Sequence, residues 1–312
     1  MILPAPKAPL ALALLWLAAA PGWAAEPLSL REIAPGVFVH QAPHQEATPE
    51  NLGGFANVGC IVGEEAVAVI DSGGSAAHGR LLREAIARVT DKPLRYLILT
   101  HMHPDHSLGS AAFAGTDSAG GATLVGHHKL PRALAARGPH YIAALEERIG
   151  AAAAGTRVIE PSLLVEERLS LDLGGRVLEL AAWPTAHTDN DLTIYDPASA
   201  TLFAGDLLFL ERIPAIDGSL TGWLSVMERL RQIPAERVVP GHGPVSSWPA
   251  ALADQERYLT TLLTGIRELI AEGGTMEQAV ARVGQAERDR WQLFEAYHAR
   301  NIVTGFAELE WE

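Results

Sequence analysis

The sequence predicts an α/β layered fold, and three observations carry that expectation. Short apolar runs of strand length alternate with longer stretches whose apolar residues recur at 3–4 spacing. Glycine-rich breaks such as Ser72-Gly73-Gly74 and Gly273-Gly274 separate them. The composition, 48% hydrophobic and 20% charged over 312 residues, is that of a globular chain large enough to bury a sizeable core.

In chain order, the first element is a targeting segment. Lys7 is followed by the apolar run Leu10–Ala20 and by Pro21-Gly22-Trp23-Ala24-Ala25. Eleven helical residues reach roughly 16 Å, about half a bilayer core, so the run is too short to span a membrane. Small residues at Gly22 and Ala24 suit cleavage after Ala24, which makes residues 1–24 a signal peptide and the mature chain periplasmic or secreted, with no stable membrane anchor. Strands are expected over 36–40, 56–62 and 66–71, the last two joined by a turn at Gly63-Glu64-Glu65. A helix over 76–89 follows, carrying Leu81, Leu82, Ile86 and Val89 on one stripe. Arg95–Thr100 reads as a strand that ends at a histidine cluster, and Ala122–Val125 as another. A helical region over 129–150 is expected to break at Gly138-Pro139, with Ala151–Ala154 in a loop. Further strands are expected over 176–182, 192–195, 201–204 and 237–239, with a helix over 221–232. From Trp248 the chain reads as helical. Leu259, Leu262, Leu263, Ile266, Leu269 and Ile270 keep helical spacing, and Thr275 with Gln278 forms a capping box. The main domain therefore spans 25–247, and residues 248–312 form a helical extension packed on it.

Charge and cysteine narrow the chemistry. Lys and Arg total 24 against 37 Asp and Glu, a net charge of −13, whereas proteins that bind nucleic acid by neutralising phosphates are basic. The single cysteine, Cys60, excludes an intramolecular disulfide and a thiolate metal cage, and reads as a small core residue. The twelve histidines are more informative. His101-Met102-His103-Pro104-Asp105-His106 places four ligand-capable side chains within six residues. In an extended segment His101 and His103 point to one side, and Pro104 turns Asp105 and His106 towards a second position. Imidazole nitrogen and carboxylate oxygen suit zinc, but this segment alone cannot complete two coordination shells. His187, Asp206 and His242 each follow or end an expected strand, where an α/β sheet gathers a site. Asp206 is the carboxylate placed to bridge two ions.

These positions resemble the metallo-β-lactamase-fold hydrolases: H-x-H-x-D-H at 101–106, His187, Gly205-Asp206 and Gly241-His242-Gly243. The resemblance implies a four-layer αββα sandwich holding two Zn2+ ions, with iron or manganese as alternative metals. It puts His101, His103 and His187 on one ion, Asp105, His106 and His242 on the other, and Asp206 between them. Asp71 matches a position that orients the histidine loop. The distal half, including Phe203–Phe209, Arg212-Ile213-Pro214, Asp217–Leu220 and the ending from His298, is similar to the quinoprotein relay system zinc metallohydrolases, a SoxH-like branch linked to a periplasmic quinoprotein system.

The expected chemistry is attack by a metal-bound hydroxide on an ester, thioester, lactone or amide-type bond of a small molecule. Asp105 or Asp206 would move the leaving-group proton. A net positive metal centre favours an anionic substrate group. Arg212, Asp217 and Ser219, in the loop after Asp206, are candidate substrate contacts. Asp189 and Asp191 are read as capping or ligand-supporting groups, and His40, His44, His78, His140 and His298 as non-ligands. His127 and His128 are read as facing either the cleft or the surface. β-Lactam hydrolysis, a mononuclear-iron sulfur dioxygenase and a non-catalytic metal-binding accessory protein are the competing functions.

Overall fold

The computed structural model describes residues 1, 27–115 and 121–312. Apart from Met1, residues 1–24, expected as a signal peptide, lie outside the described residues. Among the described residues no helix is long and apolar enough to cross a membrane.

The first half supplies β1 (Arg31–Ala34), β2 (Val37–His40), β3 (Val58–Val62), β4 (Val67–Ile70), α1 (Ala76–Ala87), β5 (Leu94–Ile98), α2 (Pro104–Ser107), β6 (Thr123–His127), α3 (Leu130–Ile149) and β7 (Leu163–Val165). Its seven strands lie in sequence order in one sheet, antiparallel through β4 and parallel from there to β7. The second half supplies β8 (Arg168–Asp172), β9 (Val177–Ala182), β10 (Leu192–Asp196), β11 (Thr201–Phe209), α4 (Leu220–Leu230), β12 (Arg237–His242) and β13 (Ser246–Ser247). These six strands form a second sheet in the order β13-β12-β11-β10-β9-β8. Then come α5 (Ala253–Ala271), α6 (Met276–Arg282) and α7 (Phe294–Leu309).

Strand alternation assigns the layers. In β4, Val67 and Val69 pack with Leu82 and Ile86 of α1 and Leu134 of α3, whereas Ala68 and Ile70 face the second sheet and share a core with Leu178, Ile194 and Phe203. The outer face of the second sheet, through Leu202, Ala204 and Val238, is covered by Trp223 and Met227 of α4, Leu259 and Leu262 of α5 and Ile302 of α7. The result is helices, sheet, sheet, helices: the αββα sandwich. The extension from residue 248 belongs to the core of the second sheet. Each fully buried Leu or Ile in these layers contributes about 1.5–3 kcal/mol relative to exposure.

The structure corrects the expected elements in four places. α3 runs unbroken through Gly138 and Pro139, because Gly138 lets Val158 pack where a Cβ would come within 2.5 Å of its methyl. The Ala151–Ala154 stretch begins in a short 3-10 turn over Gly150–Ala153 instead of a loop. β11 extends to Phe209, past the expected end at 204, with a register irregularity at Gly205, whose φ of 53° is left-handed. β1, β7, β8 and β13 were not expected; each is an edge strand or a short, partly exposed one with weak patterning. The Thr275–Gln278 capping box is present as expected.

Candidate metal centre

The chain leaves β5 at Ile98 and enters the histidine segment, where Pro104 opens the single turn of α2. β11 delivers Asp206, β12 ends at His242, and the loop from β9 to β10 carries His187. Donor atoms of His101, His103, His187 and Asp206 lie within 4.8 Å of one another, as do those of Asp105, His106 and His242. All seven residues named from the sequence therefore meet at one place. Gly241 permits the approach of the strands: a Cβ there would sit 1.8 Å from Asp206 Oδ1.

Proton placement follows from the partners and shows what the cluster is built to hold. His187 Nδ1 donates to Ala215 O at 2.6 Å, and His103 Nε2 donates to Asp217 Oδ2 at 3.1 Å. His187 Nε2 and His103 Nδ1, 2.9 Å apart, are then both lone pairs. Thr100 Oγ1 donates to Asp71 Oδ2 at 2.8 Å, so it accepts from His101 Nδ1 at 3.1 Å, and His101 Nε2 faces His103 Nδ1 at 3.0 Å as a third lone pair. His106 Nδ1 donates to Asp71 Oδ2 at 2.8 Å, and His242 Nδ1 to Phe55 O at 3.0 Å. Their inner nitrogens face Asp206 Oδ1 at 3.0 Å and Asp105 Oδ2 at 3.3 Å respectively. His106 Nε2 and Asp206 Oδ1 are buried and face only each other and the rest of the cluster. Imidazole lone pairs and two carboxylates pointing at one another repel, and cations between them would relieve that repulsion. The donor set fits two divalent ions.

The ionisation states agree. Burial lowers the pKa of His187 to about 3, outweighing the attraction of Asp206, so its imidazole is neutral. Burial, reinforced by the neighbouring imidazoles, also holds His101 well below its usual value. Burial disfavours charge on His106 too, but Asp206, Asp105 and Asp71 outweigh it and raise its pKa well above the usual value. A proton is drawn to the position a cation would take. Asp206 is pushed well below the usual carboxylate range: burial opposes this, but His106, His242 and His101 outweigh it.

Asp71 touches both Thr100 and His106, with Oδ1 accepting from Thr100 N at 2.8 Å; it adopts φ 57°, a conformation aspartate tolerates. It holds imidazole orientation from outside the cluster. Asp191 accepts from Thr188 N and Oγ1, fixing the turn after His187, and burial raises its pKa to about 8. Asp189 bonds Asn190 and Arg132.

Above the cluster lies a cavity of about 330 Å3, at the small end of ligand pockets. Arg212 lines it, but its guanidinium is occupied by Gln45 O, Glu46 and Tyr297 Oη, and it packs over Phe55. Asp217 also lines it, as the acceptor for His103, Arg137 and Arg300. Its pKa falls to about 2: burial opposes the fall, and His103 and Arg137 outweigh it. Ser219 corrects the expectation of a substrate contact. It is the N-cap of α4, accepting from Gly222 N and bonding Glu308, and takes no part in the cavity wall. His127 is buried and bonded to Lys129 N and Trp183 O, away from the cavity; His298 is bonded to Tyr258 and Val283.

The outer wall was not foreseen from the residue pattern. Arg137, Tyr141, Ala144 and Arg148 line the cavity from α3, and Tyr297 and Arg300 from α7. The α3 residues stand at i, i+4, i+7 and i+11, one face of a helix, which the expected break at Gly138-Pro139 concealed. α7 also reaches the metal cluster indirectly. Asn301 accepts from Ile216 N at 2.9 Å and donates to Pro214 O at 2.6 Å, holding both sides of Ala215, the residue whose carbonyl orients His187.

This fold and paired donor set define a metal-site protein of the αββα class. The chain belongs to the metallo-beta-lactamase superfamily, whose family model matches residues 52–242. Among curated proteins it is similar to a linear primary-alkylsulfatase of Pseudomonas sp. (strain ATCC 19151), 22% identical over 60% of this chain and 41% of that protein. It is also similar to a beta-lactamase-like protein 2 homolog of Caenorhabditis elegans, 22% identical over 60% of this chain and 54% of that protein. The chain thus spans about half the length of these relatives. Among solved structures it resembles a metallo-beta-lactamase from Pontibacter korlensis, with a TM-score of 0.60 at 20% identity, covering 75% of this chain and 99% of that one. It resembles the inverting sec-alkylsulfatase Pisa1 from Pseudomonas sp. with a TM-score of 0.71 at 16% identity, covering 90% of this chain and 50% of that one. At these identities the structural likeness speaks for the fold.

Proposed function

We propose that the protein is an exported zinc hydrolase that cleaves an ester, thioester, lactone or amide-type bond in a small molecule bearing an anionic group. The observation that carries this reading is the inward set of five imidazole lone pairs with two carboxylates, opening into a small cavity. His101, His103 and His187 would hold one zinc ion, Asp105, His106 and His242 the second, and Asp206 would lie between them. Bound there, the ions supply an ionised water at neutral pH and polarise the bond it attacks.

The chain does the rest. Asp71, Asp217, Ala215 O and Phe55 O hold the imidazoles in one tautomer. Burial keeps His101 and His187 uncharged, and so able to act as ligands. Asp105, with a pKa of about 2 because His106 and His242 outweigh its burial, is an ionised carboxylate at the cavity floor, placed with Asp206 to take up and return a proton. The wall guanidiniums of an otherwise acidic chain favour an anionic substrate. The Leu10–Ala20 run with its small-residue cleavage site supports export to the periplasm, and the likeness of the distal half to the quinoprotein relay branch supports a role beside a periplasmic oxidation system.

The test is metal analysis of protein purified without added metal, followed by a panel of esters, thioesters, lactones, β-lactams and alkyl sulfates. The expected result is about two zinc ions per chain and turnover of at least one class. One iron per chain overturns the reading in favour of a dioxygenase, and full zinc loading with no turnover overturns it in favour of a non-catalytic accessory protein.

A further inference from the structure

Setting Asp105 and Asp206 aside, the cavity is lined by four guanidiniums, those of Arg137, Arg148, Arg212 and Arg300, against two carboxylates, Glu46 and Asp217. They divide into two groups. Arg212 is fully buried and meets Glu46, which also accepts from Tyr297 Oη; Arg148, half-exposed, meets the same Glu46 through one nitrogen. Arg137 and Arg300 reach the cavity from different helices and meet at Asp217, each through one terminal nitrogen, at 2.7 Å and 3.1 Å. Their side chains are 45% and 56% exposed, and a guanidinium carries five N–H donors, so both keep donors free towards the cavity. Between them and the metal cluster stands Tyr141, whose ring lies edge-on to that of His103 and whose hydroxyl lies beside the Arg137 guanidinium.

We propose that Arg137, Arg300 and Tyr141 form a carboxylate-binding subsite, and that the substrate is a short ester or thioester carrying a carboxylate at the end remote from the scissile bond. The proposal rests on the hydrolase reading above and extends it to the substrate class. Two guanidiniums against one Asp217 leave a net positive charge and donors from two directions, the arrangement that a planar carboxylate accepts bidentately. The distance fits a short molecule: Asp217, which holds both arginines, is one hydrogen bond and one imidazole ring from the ligand nitrogen of His103. Phe55, Leu145 and Ala144 provide apolar surface for the few methylenes between. Arg300 comes from the helical extension, so specificity is set outside residues 52–242 that define the family.

The test is an NMR titration of the full chain, as purified and again after EDTA treatment, with pentanoate and its neutral isostere pentanamide. The wild type is compared with Arg137→Gln/Arg300→Gln, Tyr141→Phe and the charge-retaining Arg300→Lys. Pentanoate is expected to bind the wild type about tenfold or more tightly than pentanamide in both metal states. The double variant loses that preference, Tyr141→Phe weakens it and Arg300→Lys retains most of it. Equal binding of the two probes, or a preference that vanishes with EDTA and ignores the arginine substitutions, overturns the subsite. A second arm compares the 4-nitrophenyl monoester of glutaric acid with 4-nitrophenyl pentanoate. If pentanoate binds through the arginines but neither ester nor any compound of the panel above turns over, the subsite stands and the hydrolase reading falls. If both esters turn over equally, the hydrolase reading stands and the subsite falls.

Discussion

Each of the five imidazoles on the floor of the cavity commits its outer nitrogen to one fixed acceptor, whereas Arg137 and Arg300 on the outer wall share a single carboxylate and hold donors in reserve. The floor is assembled by strand ends and the turns beside them, with every ligand atom nearly inaccessible to solvent except on His103. The wall is assembled by two helices far apart in the chain, α3 and α7, with half-exposed side chains. Rigid, fully paired supports suit groups that must hold cations in one geometry. Exposed, incompletely paired cations suit a contact that must be made and released at each turnover. On the proposed reading, chemistry and selectivity are divided: the sheets would hold the reacting groups, and the helices would select what reaches them.

That division can be broken most severely at the floor. Asp206→Asn keeps the shape of the side chain but removes the shared negative charge facing His101, His106, His187 and His242. It is expected to cost one metal ion per chain and about a hundredfold or more in turnover, read by metal analysis and initial rates. Asp217→Asn tests the one residue that serves both regions, and is expected to weaken metal affinity about 10–100-fold by releasing His103, while also loosening both arginines. A competition titration with a chelator measures the first effect; an unchanged affinity would mean that the floor does not depend on the wall.

The support beneath the floor is expected to respond to acid more gently. His78 is buried against Gly54 and Gly73, and burial, with His40 beside it, lowers its pKa to about 4. Its folded value lies below the unfolded 6.5, so the unfolded chain binds the proton first. The stability from keeping His78 neutral is full above about pH 6.5 and is lost as the pH falls towards 4, up to about 3 kcal/mol. His78→Gln is expected to flatten that part of the profile, seen as a smaller difference in denaturant midpoint between pH 7 and pH 5 than in the wild type. The smallest effect belongs to Ser219→Ala, which removes the N-cap of α4 and its bond to Glu308. It is expected to cost about 1 kcal/mol in thermal unfolding and leave turnover unchanged.

The same contrast explains what could be read from the chain. The floor was legible because ligand chemistry restricts residue types: four donors crowd into 101–106, and His187, Asp206 and His242 each sit at or just past a strand. The layers were legible from the period-2 strand runs and the amphipathic helices. Edge strands such as β1 and β8 were not, since half their side chains meet solvent and carry little pattern. The wall was hidden for another reason. A guanidinium on a helix face looks the same whether it meets water or substrate, and Pro139 suggested a break that close packing of Gly138 on Val158 overrides. Ser219 misled in the opposite direction, because a serine in a loop beside the site is equally suited to starting the next helix.

The clamp of Asn301 about Ala215 has a consequence for dissecting the molecule. A chain shortened to the stretch that defines the family would still carry all seven inward-facing donors, yet would lose the Asn301 bonds on either side of the carbonyl that steers His187. Such a fragment would also uncover the outer face of the second sheet, so the working unit extends to the last helix.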